Sequence, residues 1–227
     1  MADRDQIFAE LNAEVQACQK CALAKTRTKA VPGEGPLDAE IMLIGEGPGF
    51  HEDQQGRPFV GASGRFLEEL LRSIGYRRDQ VYITNVVKCR PPDNRDPAPD
   101  EIRSCAPYLD SQVGALSPKI VITLGRYSMA KFFPGQSITR IHGQPKREPG
   151  RIIFPMFHPA SALHDPSKVD MIKQDMLKIP ALLDSLRTAA ASAVAPLSLS
   201  TSSQTTVAPE NVEADDDGSP TQLSLFG

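Results

Sequence analysis

Four short apolar runs punctuate the chain: EIMLIG (40–45), QVYITNVV (80–87), KIVITLG (119–125) and RIIFPMF (151–157). They are rich in β-branched residues, and such continuous runs are the pattern of strands covered on both faces. Between the first two, Phe66, Leu67, Leu70, Leu71 and Ile74 recur at helical spacing, with Ser63 placed to cap the start and Gly75 to stop the end. A second helix is predicted over 99–116, and a last one ending near Arg187. Buried strands separated by helices imply crossover connections rather than hairpins. The predicted fold is an α/β, three-layer α/β/α sandwich with a four-stranded, mostly parallel sheet. No internal repeat is visible.

Beyond Arg187 the pattern stops. Residues 188–221 are a Ser/Thr/Ala/Pro/Asp mixture without an aromatic residue, with too little apolar surface to offset the cost of ordering, and they read as a disordered acidic linker. An apolar cluster returns in 222–227. The predicted organisation is thus a globular domain over 1–187, a linker, and a short peptide. The formal charge of −3 hides an asymmetry, because five acidic residues and no Lys or Arg follow Thr188, and without these five the first 187 residues stand at +2. A mildly basic domain is compatible with nucleic acid but does not require it. No apolar run approaches the ~20 residues of a membrane span. The start MADRDQIFAE lacks the apolar stretch of a signal peptide, so a cytoplasmic, nucleoid-associated monomer is expected.

The chain has four cysteines, Cys18, Cys21, Cys89 and Cys105. A CxxC pair matched by a second, widely spaced pair points to a four-thiolate metal site. Zinc knuckles draw on two compact pairs, so the spacing leans towards an iron–sulfur cluster; disulfides or four unrelated buried thiols are the alternatives. In a parallel α/β sheet the functional loops gather at the carboxyl ends of the strands. There the first run ends in GEGPG, with Glu46, the second carries Asn85, and the fourth ends in FHPAS, with His158. Each is weak alone: a Gly-rich turn is common, and a single Asn or His is usually structural. Together with Phe59 they could converge on one pocket.

GEGPG, GRPFVGASG, TNVVKCRPP, HPASAL and the cysteine spacing together resemble the iron–sulfur, family 4 uracil-DNA glycosylases over residues 1–187. The resemblance implies hydrolysis of the bond joining uracil to deoxyribose, and a 4Fe-4S cluster held by Cys18, Cys21, Cys89 and Cys105. It assigns Phe59 to stacking on an extruded uracil, Asn85 to reading its edge, and His158 to stabilising charge on O2. Glu46 is assigned to orienting water or screening the sugar cation. Related single-domain glycosylases carry an Asp where this chain has Gly47, which leaves Glu46 as the carboxylate of the motif and Gly47 as a backbone contact. They also carry a Tyr against thymine's methyl group where this chain has Gly49, so this motif alone does not explain how thymine is refused.

Outside the pocket, Leu163 resembles the wedge that fills the gap left by a flipped base. Arg140, Lys146 and Arg147, with Arg151, lie in a segment (139–151) that could grip phosphates, or simply form a solvated loop. The RIH triplet at His142 is similar to one in a covalently reacting branch of the superfamily, but it lies in a different segment from that branch's reactive loop. Gln222, Leu223, Leu225 and Phe226 look like the peptide that binds the bacterial sliding clamp. Two readings from other classes compete: an iron–sulfur electron-transfer or nucleotide-binding redox protein, and a zinc-stabilised DNA-binding adaptor. The first lacks a full dinucleotide fingerprint, and neither gives a reason for Asn85 or HPAS.

Overall fold

The computed structural model describes residues 3–194. Strands β1 (Ile41–Gly45), β2 (Tyr82–Asn85), β3 (Ile120–Leu124) and β5 (Arg151–Met156) run parallel, and β4 (Lys146–Glu148) pairs antiparallel with β5 at one edge. The spatial order is β2-β1-β3-β5-β4. Successive residues of each strand face opposite sides, and the two sides have separate cores. Ile41, Leu43, Ile120, Ile122, Ile152 and Phe154 pack with Leu67, Leu70 and Leu71 of α3 (Ala62–Ser73), Ile172 and Met176 of α8 (Ser167–Met176), and α9 (Ile179–Val194). Met42, Ile44, Val121 and Ile153 pack with Phe8, Leu11 and Val15 of α1 (Arg4–Ala17) and Tyr108, Leu109 and Val113 of α4 (Pro99–Leu116). This alternation of burial makes the three layers.

The short helices α2 (Phe50–Gln55), α5 (Arg126–Phe132) and α7 (Pro159–His164) begin a few residues beyond the carboxyl ends of β1, β3 and β5, while α6 (Ile138–Ile141) precedes β4. The register sets Gly45 beside Asn85 and Leu124 beside Met156, so the tips of four strands end together.

Three expectations are corrected. The sheet has five strands rather than four: KRE of β4 is exposed or half-buried and charged, so it has backbone pairing without an apolar signature. Gly61, not Ser63, caps α3; its extended backbone turns the chain into the helix while its N–H is taken by Glu52. The last helix runs past Arg187 to Val194. Its final turns are rich in alanine, a strong helix former in a segment read as linker. The rest of the predicted linker and the peptide at 222–227 lie outside the described residues. Among the described residues no helix is long and apolar enough to cross a membrane.

Candidate functional site

A pocket of about 360 Å³, within the size range of small-ligand sites, opens at the carboxyl ends of the strands. Glu46, Gly47, Phe59, Asn85 and His158 all line it. Thus residues from four separate segments, grouped in sequence only by motif, are brought together.

Asn85 ends β2 and is buried. Its Oδ1 has no hydrogen-bond partner. A buried amide oxygen left unmade costs on the order of 1–3 kcal/mol, so such an atom in a pocket marks a place for a donor. Neighbouring Gly45 has to be glycine: a Cβ there would stand 2.3 Å from Asn85 Oδ1 and 2.7 Å from the Phe59 ring. Beneath Asn85, the fully buried Lys88 donates from Nζ to the Asn85 carbonyl at 2.8 Å, Thr84 Oγ1 at 2.7 Å and Gln112 Oε1 at 2.7 Å. Burial lowers its pKa to about 8.

Phe59 is buried and has a left-handed backbone, φ 51°, an unusual state for a bulky residue. The surroundings hold it there. Arg78 donates to the carbonyls of Phe59, at 2.9 Å, and Pro58. The Glu52 carboxylate accepts from the amides of Val60 and Gly61, both at 2.9 Å, and from that of Gly49 at 3.2 Å. Glu52 therefore ties the GEGPG loop to the Phe59 loop. It also lines the pocket, and a side chain at position 49 would begin 2.8 Å from its Oε2.

His158 caps the start of α7. Its Nδ1 accepts from the Ala160 amide at 3.1 Å, which puts the proton of the neutral ring on Nε2. Desolvation pulls the pKa down to about 4, and the nearby Glu52 carboxylate opposes this. The ring stacks on Phe59 with centroids 5.5 Å apart and planes 26° apart. Glu46 is half-buried. Burial holds its pKa above the ordinary 4.5, Asp96 pushes the same way, and Arg126, ion-paired with Asp96, pulls back.

The wider set is not gathered here. Leu163 is 51% exposed on α7, between the pocket residues Ala160 and His164. Arg140, Lys146 and Arg147 do not line the pocket. Lys146 pairs with Glu148 at 3.0 Å and Arg147 donates to Ser185 at 3.3 Å, both on the β4 edge. His142 is also elsewhere, its Nδ1 2.7 Å from the buried Asp175 and its ring against Phe157. Sequence reasoning missed Glu52, Asn94 and Arg95 in the pocket lining. The usable signal was position: Glu52 stands three residues after the last glycine of GEGPG, as in a capping box.

The four cysteines are free thiols and line one cavity. Cys18 follows α1, Cys21 precedes a helical turn (Ala22–Lys25), Cys89 lies in the loop after β2, and Cys105 is in α4. Arg27 donates to Cys89 Sγ at 3.1 Å and the Lys88 amide to Cys105 Sγ at 3.3 Å. Burial raises the thiol pKa of Cys89, and that of Cys105 to about 11. Ionising Cys89 or Cys105 here therefore needs a cationic partner. Among the described residues no three His, Cys, Asp or Glu are grouped closely enough to hold a metal ion.

A sequence model of the Uracil DNA glycosylase superfamily matches residues 32–184. A type-4 uracil-DNA glycosylase of Sulfurisphaera tokodaii is 49% identical over 180 residues, 75% of this chain and 82% of that one. The chain belongs to the type-4 uracil-DNA glycosylase family. A type-4 enzyme of Thermotoga maritima is 43% identical over 170 residues, 74% of this chain and 88% of its own. A type-5 uracil-DNA glycosylase of Thermus thermophilus is 38% identical over 116 residues, only 44% of this chain. The matched region contains all four loops that line the pocket.

Proposed function

We propose that the chain is a DNA-repair hydrolase that cuts the N-glycosidic bond of uracil in DNA, giving free uracil and an abasic site. The observation that carries this is the buried, unpartnered Asn85 Oδ1 in the pocket. Uracil offers N3–H to that oxygen and O4 to the amide nitrogen, whereas cytosine presents the reverse pattern and would leave both groups unpaired. A base in duplex cannot reach such a pocket, so the nucleotide is extruded and stacks on Phe59. As the C1′–N1 bond breaks, its electron pair moves onto uracil and an oxocarbenium ion forms in the sugar. The Nε2–H of neutral His158 donates to the growing charge on O2. Glu46, as a carboxylate, orients the water that adds to C1′ or screens the cation. Gly47 contributes backbone, and Glu52 lies where a side chain at 49 would project. The test is an oligonucleotide with one uracil: full-length protein should leave an alkali-labile break there and none at cytosine or thymine. Intact uracil strands would reject the reading.

We further infer that Cys18, Cys21, Cys89 and Cys105 hold a 4Fe-4S cluster of structural role. None of the four lines the pocket. The cluster would join α1, the Cys89 loop and α4, and through Lys88 the ground beneath Asn85. Cys89→Ala should lose iron and melt at lower temperature than wild type; a cluster-free variant that keeps its melting temperature would refute the structural role.

The pH profile gives a further expectation. Activity needs ionised Glu46, whose pKa lies above 4.5, and neutral His158, which persists down to about pH 4. Falling pH therefore meets Glu46 first. Asp96→Asn removes one cause of the raised value and frees Arg126 to act on Glu46, so the acid limb of kcat should move to lower pH. An unmoved limb, or one moved upward, would separate Glu46 from the limb.

Uracil-containing DNA is the substrate partner. Residues Gln222, Leu223, Leu225 and Phe226 form a clamp-binding peptide of modest affinity, strengthened by simultaneous contact with DNA. Replacing Leu225 and Phe226 with Ala should end co-elution with a bacterial sliding clamp while excision from a free oligonucleotide continues; unchanged co-elution would exclude the peptide.

A further inference from the structure

Among the described residues three large hydrophobic side chains are conspicuously exposed, Phe50 at 52%, Leu163 at 51% and Leu177 at 58%. Two of the three adjoin the pocket loops. Leu163 lies between Ala160 and His164, and Phe50 directly follows Gly49, at the first turn of α2. Phe50 belongs to neither core. A single exposed apolar residue is ordinary, but this ring is supported as a built surface. The Arg90 guanidinium lies over it, 5.3 Å from the centroid, and the His51 ring meets it edge-on at 5.5 Å and 79°. Arg90 is itself pinned, since its Nε donates to Asn94 Oδ1 at 2.7 Å, and Asn94 lines the pocket.

The charges nearby favour one kind of occupant. Arg95 pairs with Glu101 and Arg126 with Asp96, whereas Arg90 has no carboxylate partner among the described residues. An aromatic face beside a guanidinium without a carboxylate partner, next to the pocket-lining Gly49 and Asn94, offers a flat π surface and a cation together. A nucleotide carries the complement of both, a base that stacks and a phosphate that pairs. A protein partner would match the apolar ring but has no need of the arginine held against it.

We propose that Phe50, backed by Arg90, is a stacking platform for the nucleobase that flanks the extruded uridine in the DNA strand. The proposal rests on the uracil-DNA reading above. Phe50 then differs in task from Phe59: Phe59 is buried and receives the base to be cut, while Phe50 stands at the rim and orders the strand. Its position one residue past GEGPG links the placement of the strand to the loop that carries Glu46. Arg90 follows Cys89 directly, so the cysteine loop would also position this contact.

The experiment uses the full chain and an oligonucleotide in which 2-aminopurine neighbours a 2′-fluorinated deoxyuridine whose glycosidic bond resists cleavage. Wild type should quench the 2-aminopurine on binding, and Phe50→Ala should bind without that quenching. With ordinary uracil-DNA, Phe50→Ala should raise KM about tenfold or more and leave kcat within about twofold, and Phe50→Trp should restore both signals. Equal quenching and equal KM in Phe50→Ala would overturn the proposal. So would a loss confined to kcat, which would put Phe50 inside the reaction rather than at the strand. A wild-type chain that excises nothing would instead overturn the functional reading, so the two failures are distinguishable.

Discussion

Asn85→Asp is expected to lower kcat/KM on uracil-DNA by about 10³-fold or more. The substitution keeps size and changes only the hydrogen-bonding edge. In place of an amide that accepts from N3–H and donates to O4, a carboxylate would direct a second acceptor at O4. The position is buried, and no room exists for the group to turn away, because Gly45 and Phe59 close the space beside it. Single-turnover excision at saturating enzyme, compared on uracil and cytosine strands, measures this. Loss on uracil with no loss of melting temperature locates the effect in recognition, whereas near-wild-type rates would remove Asn85 from the reading edge.

His158→Ala is expected to slow excision by about 10²- to 10³-fold with little change in binding to uracil-DNA. The ring donates to a charge that exists only as the bond breaks, so its removal falls on kcat. The Ala160 amide fixes which nitrogen carries the proton, and this makes a second, separable signature. A neutral donor needs no protonation near pH 6.5, so wild-type kcat should show no step there. The same shift bears on stability: the pKa is about 4 in the fold against an ordinary 6.5. The unfolded chain therefore binds the extra proton first as pH falls. The contribution is present above pH 6.5 and is lost between about 6.5 and 4; His158→Ala should flatten the melting-temperature profile across that window.

Much of the architecture was legible because the four parallel strands are apolar on both faces and their helices carry one-sided stripes. Strand β4 was not, since three charged residues at an edge carry no apolar signature. Helix α1 was not anticipated either: it buries little beyond Phe8, Leu11 and Val15 on one side of fourteen residues. In the pocket, Glu46, Asn85 and His158 were visible as chemistry at strand tips. Glu52 and Arg78 were hidden for the opposite reason. Glu52's bond to Gly49 follows a capping-box spacing, but its bonds to Val60 and Gly61, and those of Arg78 to Pro58 and Phe59, reach other loops that their own sequence neighbourhoods do not reveal. Lys88 is hidden similarly, because a lysine after a strand reads as a surface charge until its three acceptors are known. In the segment 139–151 the sequence shows the cations but not their partners: Lys146 and Arg151 both pair with Glu148.

The central claim is that the Asn85 pocket receives uracil and releases it as a free base. The most direct measurement is mass-spectrometric quantification of the base released when the full chain meets a uracil-containing oligonucleotide, alongside the abasic sites formed. Free uracil and abasic sites are expected in equal amounts from wild type, with no cytosine or thymine released, and almost no uracil from Asn85→Asp. Absence of free uracil with wild type, or release of cytosine at a comparable rate, would contradict it.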